Sequence, residues 1–138
     1  MKSLLGLFIL LAGFTACNNN KEEPAKEKDN RIVLRTDSVN IITLSDTMLI
    51  YESICRSCKY EGSVRFEIAD SAAVVKLHAV NTHDNNHRDV EGGNVGKELV
   101  LVPVKAGSTK MKLYKFLSPE TAKEDSARSQ TYTIEVKN

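Results

Sequence analysis

Alternation is the feature that most limits what this chain can build. Ser63 to Ile68 (SVRFEI) puts Val64, Phe66 and Ile68 on one side and Arg65 and Glu67 on the other. That is the period-two pattern of a strand with one buried face. Similar short runs recur along the chain. Arg31 to Arg35 (RIVLR), Ser38 to Leu44 (SVNIITL) and Thr47 to Ile54 (TMLIYESI) precede it, the last with Met48, Ile50 and Ile54 on one side. Ala73 to Val80 (AVVKLHAV), Glu98 to Val104 (ELVLVPV), Thr109 to Phe116 (TKMKLYKF) and Thr131 to Val136 (TYTIEV) follow. Met111, Leu113, Tyr132, Ile134 and Val136 fall on inward positions, and Pro103 marks an edge or a bulge. Pro119 to Ala127 (PETAKEDSA) has helix formers but no apolar stripe, and reads as a charged loop or a single turn. Seven or eight strands at roughly ten-residue spacing predict an all-β fold. An antiparallel β-sandwich is expected, with a small closed barrel as the alternative. The chain has no Trp, so Ile, Val, Leu, Phe, Tyr and Met must fill the core.

The first thirty residues belong to something else. MKSLLGLFILLAGFTAC has Lys2, an apolar run from Leu4 to Leu11, and small residues before Cys17. It reads as an export signal over residues 1–16, shorter than the about 20 apolar residues of a spanning helix. Phe14-Thr15-Ala16-Cys17 resembles the lipobox of bacterial lipoproteins, although the family usually has Leu where Phe14 stands. The resemblance implies that Cys17 carries the lipid and inserts acyl chains in the bilayer at about 0.8 kcal/mol per CH₂. The alternative is an ordinary signal peptide with an incidental cysteine. Residues 17–30 are charged, contain a proline and lack an apolar run, as a disordered tether does. Asn18 is not the Asp that commonly retains lipoproteins at the inner membrane. Lys21-Glu22-Glu23 resembles the surface-export tag of Bacteroidetes lipoproteins; a solvated charge run is the alternative. The expected location is the outer membrane, at the cell surface or on its periplasmic face.

Residues 31–138 are then one domain, with room for one core. The net charge is +1 with interspersed signs, which gives no footprint for nucleic acid. With Cys17 assigned to lipid, two of the three cysteines remain. Cys55 and Cys58, an even pair in an oxidising compartment, are expected to form a disulfide. Residues i and i+3 of a turn lie within about 7 Å, inside disulfide reach. A ring this small contributes only about 2 kcal/mol or less. Its main effect would be to hold Arg56 and Ser57 at a fixed tip.

Two other readings of the pair compete. A redox couple needs its first thiol at a helix N-terminus, and strands flank this one. A zinc site could combine Cys55 and Cys58 with His83 and His87, but the two pairs are far apart in sequence. His78 sits in a strand, as a half-buried side chain. No G-x-S-x-G elbow is present, and Gly92-Gly93-Asn94-Val95-Gly96 lacks the Lys and helix of a phosphate loop. No enzyme, metal or cofactor is expected.

Three long connections stand out: Cys55 to Gly62, Asn81 to Gly96 and Leu117 to Ser129. From Gly92 to the C-terminus, with Val104-Lys105-Ala106-Gly107 as a turn, the chain resembles the chagasin-type inhibitors of papain-like cysteine peptidases. The resemblance implies an immunoglobulin-like sandwich that meets a peptidase through three loops at one end. The family's Asn-Pro-Thr-Thr-Gly loop falls on Cys58-Lys59-Tyr60-Glu61-Gly62, where only Gly62 matches. Its Gly-rich loop falls around Asn94 and matches Gly93 and Gly96. Its Arg-Pro-Trp loop falls on Phe116-Leu117-Ser118 without a match. A looser likeness, on architecture alone, is to the potempins, peptidase inhibitors on small β-barrels. The expected function is a membrane-anchored peptidase inhibitor, with Tyr60 and Phe116 as anchors and Arg56, Ser57, Lys59 and Glu61 on the first loop. A non-catalytic interaction or assembly lipoprotein of the outer membrane is the alternative.

Overall fold

The computed structural model describes residues 29–84 and 92–138. The export signal, Cys17, most of the tether and His87 lie outside the described residues. Among the described residues, eight strands and one short helix follow in order: β1 (Ile32–Val33), β2 (Val39–Thr43), β3 (Met48–Cys55), β4 (Arg65–Ala69), β5 (Val75–His83), β6 (Asn94–Pro103), β7 (Gly107–Phe116), α1 (Ala122–Ser126) and β8 (Gln130–Lys137). They form two four-stranded sheets, ordered β1-β3-β6-β5 and β2-β8-β7-β4. This is the expected all-β sandwich, and the sheets do not close into a barrel.

Burial follows the alternation on β2, β4, β7 and β8, whereas on the central strands Leu49 is buried beside Met48 and Ile50, and Val100 beside Leu99 and Leu101. Asn40 and Ile42 point inward from β2, while Val39, Ile41 and Thr43 are exposed. Met111 and Leu113 from β7, and Tyr132, Ile134 and Val136 from β8, meet Met48, Ile50, Leu99 and Leu101 of the other sheet. Such side chains stabilise the fold by about 1.5–3 kcal/mol each when removed from water. On β4, Phe66 and Ile68 pack against this core while Arg65 and Glu67 are exposed.

The sandwich is not wholly antiparallel, which corrects one expectation. β1 runs parallel to β3, and β2 parallel to β8. The N-terminal segment divides itself between the sheets. After β1 the chain reverses, and the Asn40 side chain ties the reversal together. It accepts from the Arg35 amide at 2.8 Å and donates to the Arg35 and Thr133 carbonyls at 2.8 and 3.0 Å. Each short strand then lies beside a neighbour that runs its way. Parallel partners need a long connection rather than a hairpin, and the other sheet provides it.

β5 and β6 are also longer than their apolar runs. Asn81, Thr82 and His83 pair with Glu98, Lys97 and Gly96. Backbone hydrogen bonds extend the ladder past the last apolar position, so the long connection Asn81 to Gly96 shrinks to residues 84–93. Gly96 lies inside β6, not in a loop. A Cβ there would sit 3.4 Å from the His83 carbonyl oxygen, so glycine eases the fit of the two strands.

Candidate functional site

The strand directions gather three connections at one end of the sandwich. The first loop (56–64) leaves β3, the second (84–93) leaves β5, and the third (117–129) leaves β7. The chain enters at the opposite end, where the Ile32 amide donates to the Thr47 carbonyl at 2.9 Å. β3 spans the distance between the ends, roughly 23 Å at 3.3 Å per residue.

Cys55 and Cys58 are joined in a disulfide across a Cα separation of 5.6 Å. The bond leaves no thiolates for a Cys₂His₂ set. Ser57 sits at φ +60°, the left-handed region that a turn this tight requires. Its amide donates to the Glu61 carboxylate at 2.5 Å, and the Glu61 amide donates to the Cys58 carbonyl at 3.0 Å. Ser57, Cys58, Lys59 and Gly62 are exposed, while Tyr60 and Glu61 are half-buried. The Lys59 ammonium lies 5.2 Å from the centre of the Tyr60 ring, a cation–π contact at the surface.

Arg56 does not reach into solvent. Its side chain is 12% exposed and forms an ion pair with Asp84 at the end of β5. Its amide donates to the Gly93 carbonyl at 2.9 Å. Gly92 and Gly93 take φ values of +84° and +88°, which favour glycine, and Gly93 and Asn94 are exposed.

The third loop is an ordered structure built around one acid. Asp125 of α1 is buried, and its carboxylate accepts from the Leu117 amide at 2.8 Å and the Thr121 hydroxyl at 2.7 Å. The Leu117 amide, with help from Thr121, holds the Asp125 carboxyl below the usual aspartate range. Ser63 of the first loop donates to the Leu117 carbonyl at 2.5 Å and joins the two loops. Phe116 and Ser118 are buried in this arrangement, and Leu117 is half-buried. The Arg65 guanidinium lies 4.3 Å from the Phe116 ring centre, and Tyr114 stacks on the ring at 5.8 Å. Phe116 thus fills the space between its neighbours instead of standing out as an anchor.

Among the described residues, the surface at this end includes exposed Ser57 to Lys59, Gly62, Gly93 and Asn94, half-buried Tyr60, and Pro119 and Glu120 from the third loop. Sequence reasoning missed Asp84, Asp125 and Ser63, which hold the loops together. An Asp in a polar run looks the same whether it meets solvent or a distant Arg.

A chain of known structure shares the fold. The cysteine protease inhibitor EhICP2 from Entamoeba histolytica superposes with a TM-score of 0.54 at 19% identity, over 77% of this chain and 94% of that one. The scaffold is chagasin-like. Amebosin is also similar, with a TM-score of 0.48 at 14% identity, over 77% of this chain and 95% of that chain, too low a score to carry weight here. No family model and no curated protein matches the chain. At such identities the chagasin-like scaffold is a statement about fold. It does not extend to the chemistry at the loop tips.

Proposed function

We propose that the protein is a membrane-anchored peptidase inhibitor that fills an active-site cleft with the three-loop end of its sandwich. The observation that carries this reading is the construction of that end. The first loop is closed by a disulfide and bonded to both of the others, on a scaffold shared with a cysteine protease inhibitor. A loop ordered before binding loses little entropy on binding and resists being cut. The reading takes cysteine peptidases as the target class. Exposed Ser57 and Lys59, the half-buried ring of Tyr60, and the open backbone at Gly93 would line the cleft. Cys17 would carry the lipid. The described chain starts at Asp29, at the end away from the loops, so a tether from Cys17 would join the domain at the end opposite the loops.

Titration of papain with the purified protein tests the proposal. Inhibition should compete with substrate and weaken about tenfold, or about 1.4 kcal/mol, when Cys55–Cys58 is reduced and alkylated. Papain activity unaffected by excess protein, together with recovery of only envelope proteins in a pull-down, would favour an assembly lipoprotein instead.

A further inference from the structure

The guanidinium of Arg56 is turned back against the body of the protein. It pairs with Asp84, and its Nε and Nη2 atoms are shut off from solvent. The amide of the same residue donates to the Gly93 carbonyl at 2.9 Å. One residue of the first loop therefore touches both arms of the second, Asp84 after β5 and Gly93 before β6. It also continues the β3–β6 ladder one step past its last pair, Cys55 and Asn94. The Cys55–Cys58 bond closes a ring around it.

We infer that Arg56 is a positioning residue that holds the first loop to the two described ends of the second, Asp84 and Gly93, in a fixed arrangement. A partner then meets Ser57, Lys59 and Gly93 at a preset spacing. The chemistry suits the role. A buried guanidinium needs a carboxylate beside it, and Asp84 supplies one. Removing one partner leaves the other charge without its match, so both loops should loosen together. Preset geometry acts mainly on how long a complex lasts, not on how fast it forms.

The coupling itself is tested on the free full-length protein by amide hydrogen exchange. Arg56→Ala should speed exchange about tenfold at residue 56 and at 82–84, with β7 and β8 unchanged. Asp84→Asn should do the same, and the double variant should be no worse than either single one, the signature of a shared interaction. Arg56→Lys should fall between, and Arg56→Asp combined with Asp84→Arg should restore part of the protection. Unchanged exchange in Arg56→Ala, or single effects that simply add, overturns the coupling.

The consequence for binding rests on the peptidase-inhibitor reading and is measured with papain as the probe. Arg56→Ala should raise the dissociation rate about tenfold and leave the association rate within about threefold. If the wild type does not inhibit papain, the inhibitor reading fails while the exchange result still decides the coupling. If the loops loosen and dissociation stays the same, the coupling exists but does not set affinity, and the positioning role is overturned.

Discussion

Asp125 is a charged residue buried in a connection that looks polar and solvated. Its carboxylate closes the third loop by taking the Leu117 amide and the Thr121 hydroxyl. Those bonds favour the ionised form, so the folded-state pKa lies below the unfolded value of about 3.9. The sign follows from linkage. The stabilisation is complete above the unfolded value and is lost as pH falls through the depressed folded one. Asp125→Ala should therefore melt below the wild type at pH 7, and the gap in Tm should narrow once the pH drops under about 3.9. A gap that stays constant down to pH 2 would mean the carboxylate contributes nothing as an anion. Glu98 shows the same device on a strand. Arg31 bonds it at 2.7 and 3.1 Å and Asn81 donates at 3.0 Å, which also holds its carboxyl below the usual range. Neither arrangement can be read from the sequence. Arg31 and Glu98 lie far apart in the chain, and nothing in RIVLR or KELVLV marks them as partners.

At the level of elements, the turn between β4 and β5 is the clearest departure from local preference. The Val74 amide donates to the Ser71 carbonyl at 2.8 Å, around Ala72 and Ala73 at φ +49° and +54°. Two central residues with positive φ make this a type I′ turn, which favours Asn-Gly. Alanine pays about 1–2 kcal/mol for the left-handed region. Ala72→Asn with Ala73→Gly should stabilise the protein by about 1 kcal/mol, or about 4–8 °C in Tm, by chemical and thermal denaturation. A lower Tm would mean that the turn is held by its surroundings and not limited by its own residues. The missing Asn-Gly also explains why the connection is hard to see in the sequence. Most strands are legible because burial on one face leaves a period of two. The ends of β5 and β6 are not, because hydrogen bonds between backbones extend them through polar residues and glycine. The helical turn α1 lacks an apolar stripe, since it packs through Asp125 instead.

For the whole molecule, the entry point and the loop cluster lie at opposite ends. A tether from Cys17 would join the domain at the end opposite the loops and leave them free, and the reading of Cys17 has a concrete test. Cells expressing the full chain should incorporate radiolabelled palmitate into it and retain it with membranes. Cys17→Ala should abolish the label and release the protein, with no change in the melting temperature of the folded domain. Label retained in Cys17→Ala would place the lipid elsewhere. The candidate site was legible only in outline. The positions of the three loops follow from the strand pattern and from the chagasin resemblance. Their surfaces do not, because Phe116 and Ser118 sit inside and Arg56 faces Asp84.

Local pattern was enough for the all-β class and most inward residues, and it favoured a sandwich over a barrel and a Cys55–Cys58 disulfide over metal or redox chemistry, which the packed structure then decided. Each of these depends on residues a few positions apart. The packed fold was needed for the parallel edges, the true length of β5 and β6, and the direction in which each loop side chain points. Those depend on contacts between distant segments, and an isolated stretch of chain holds no record of what will be folded against it.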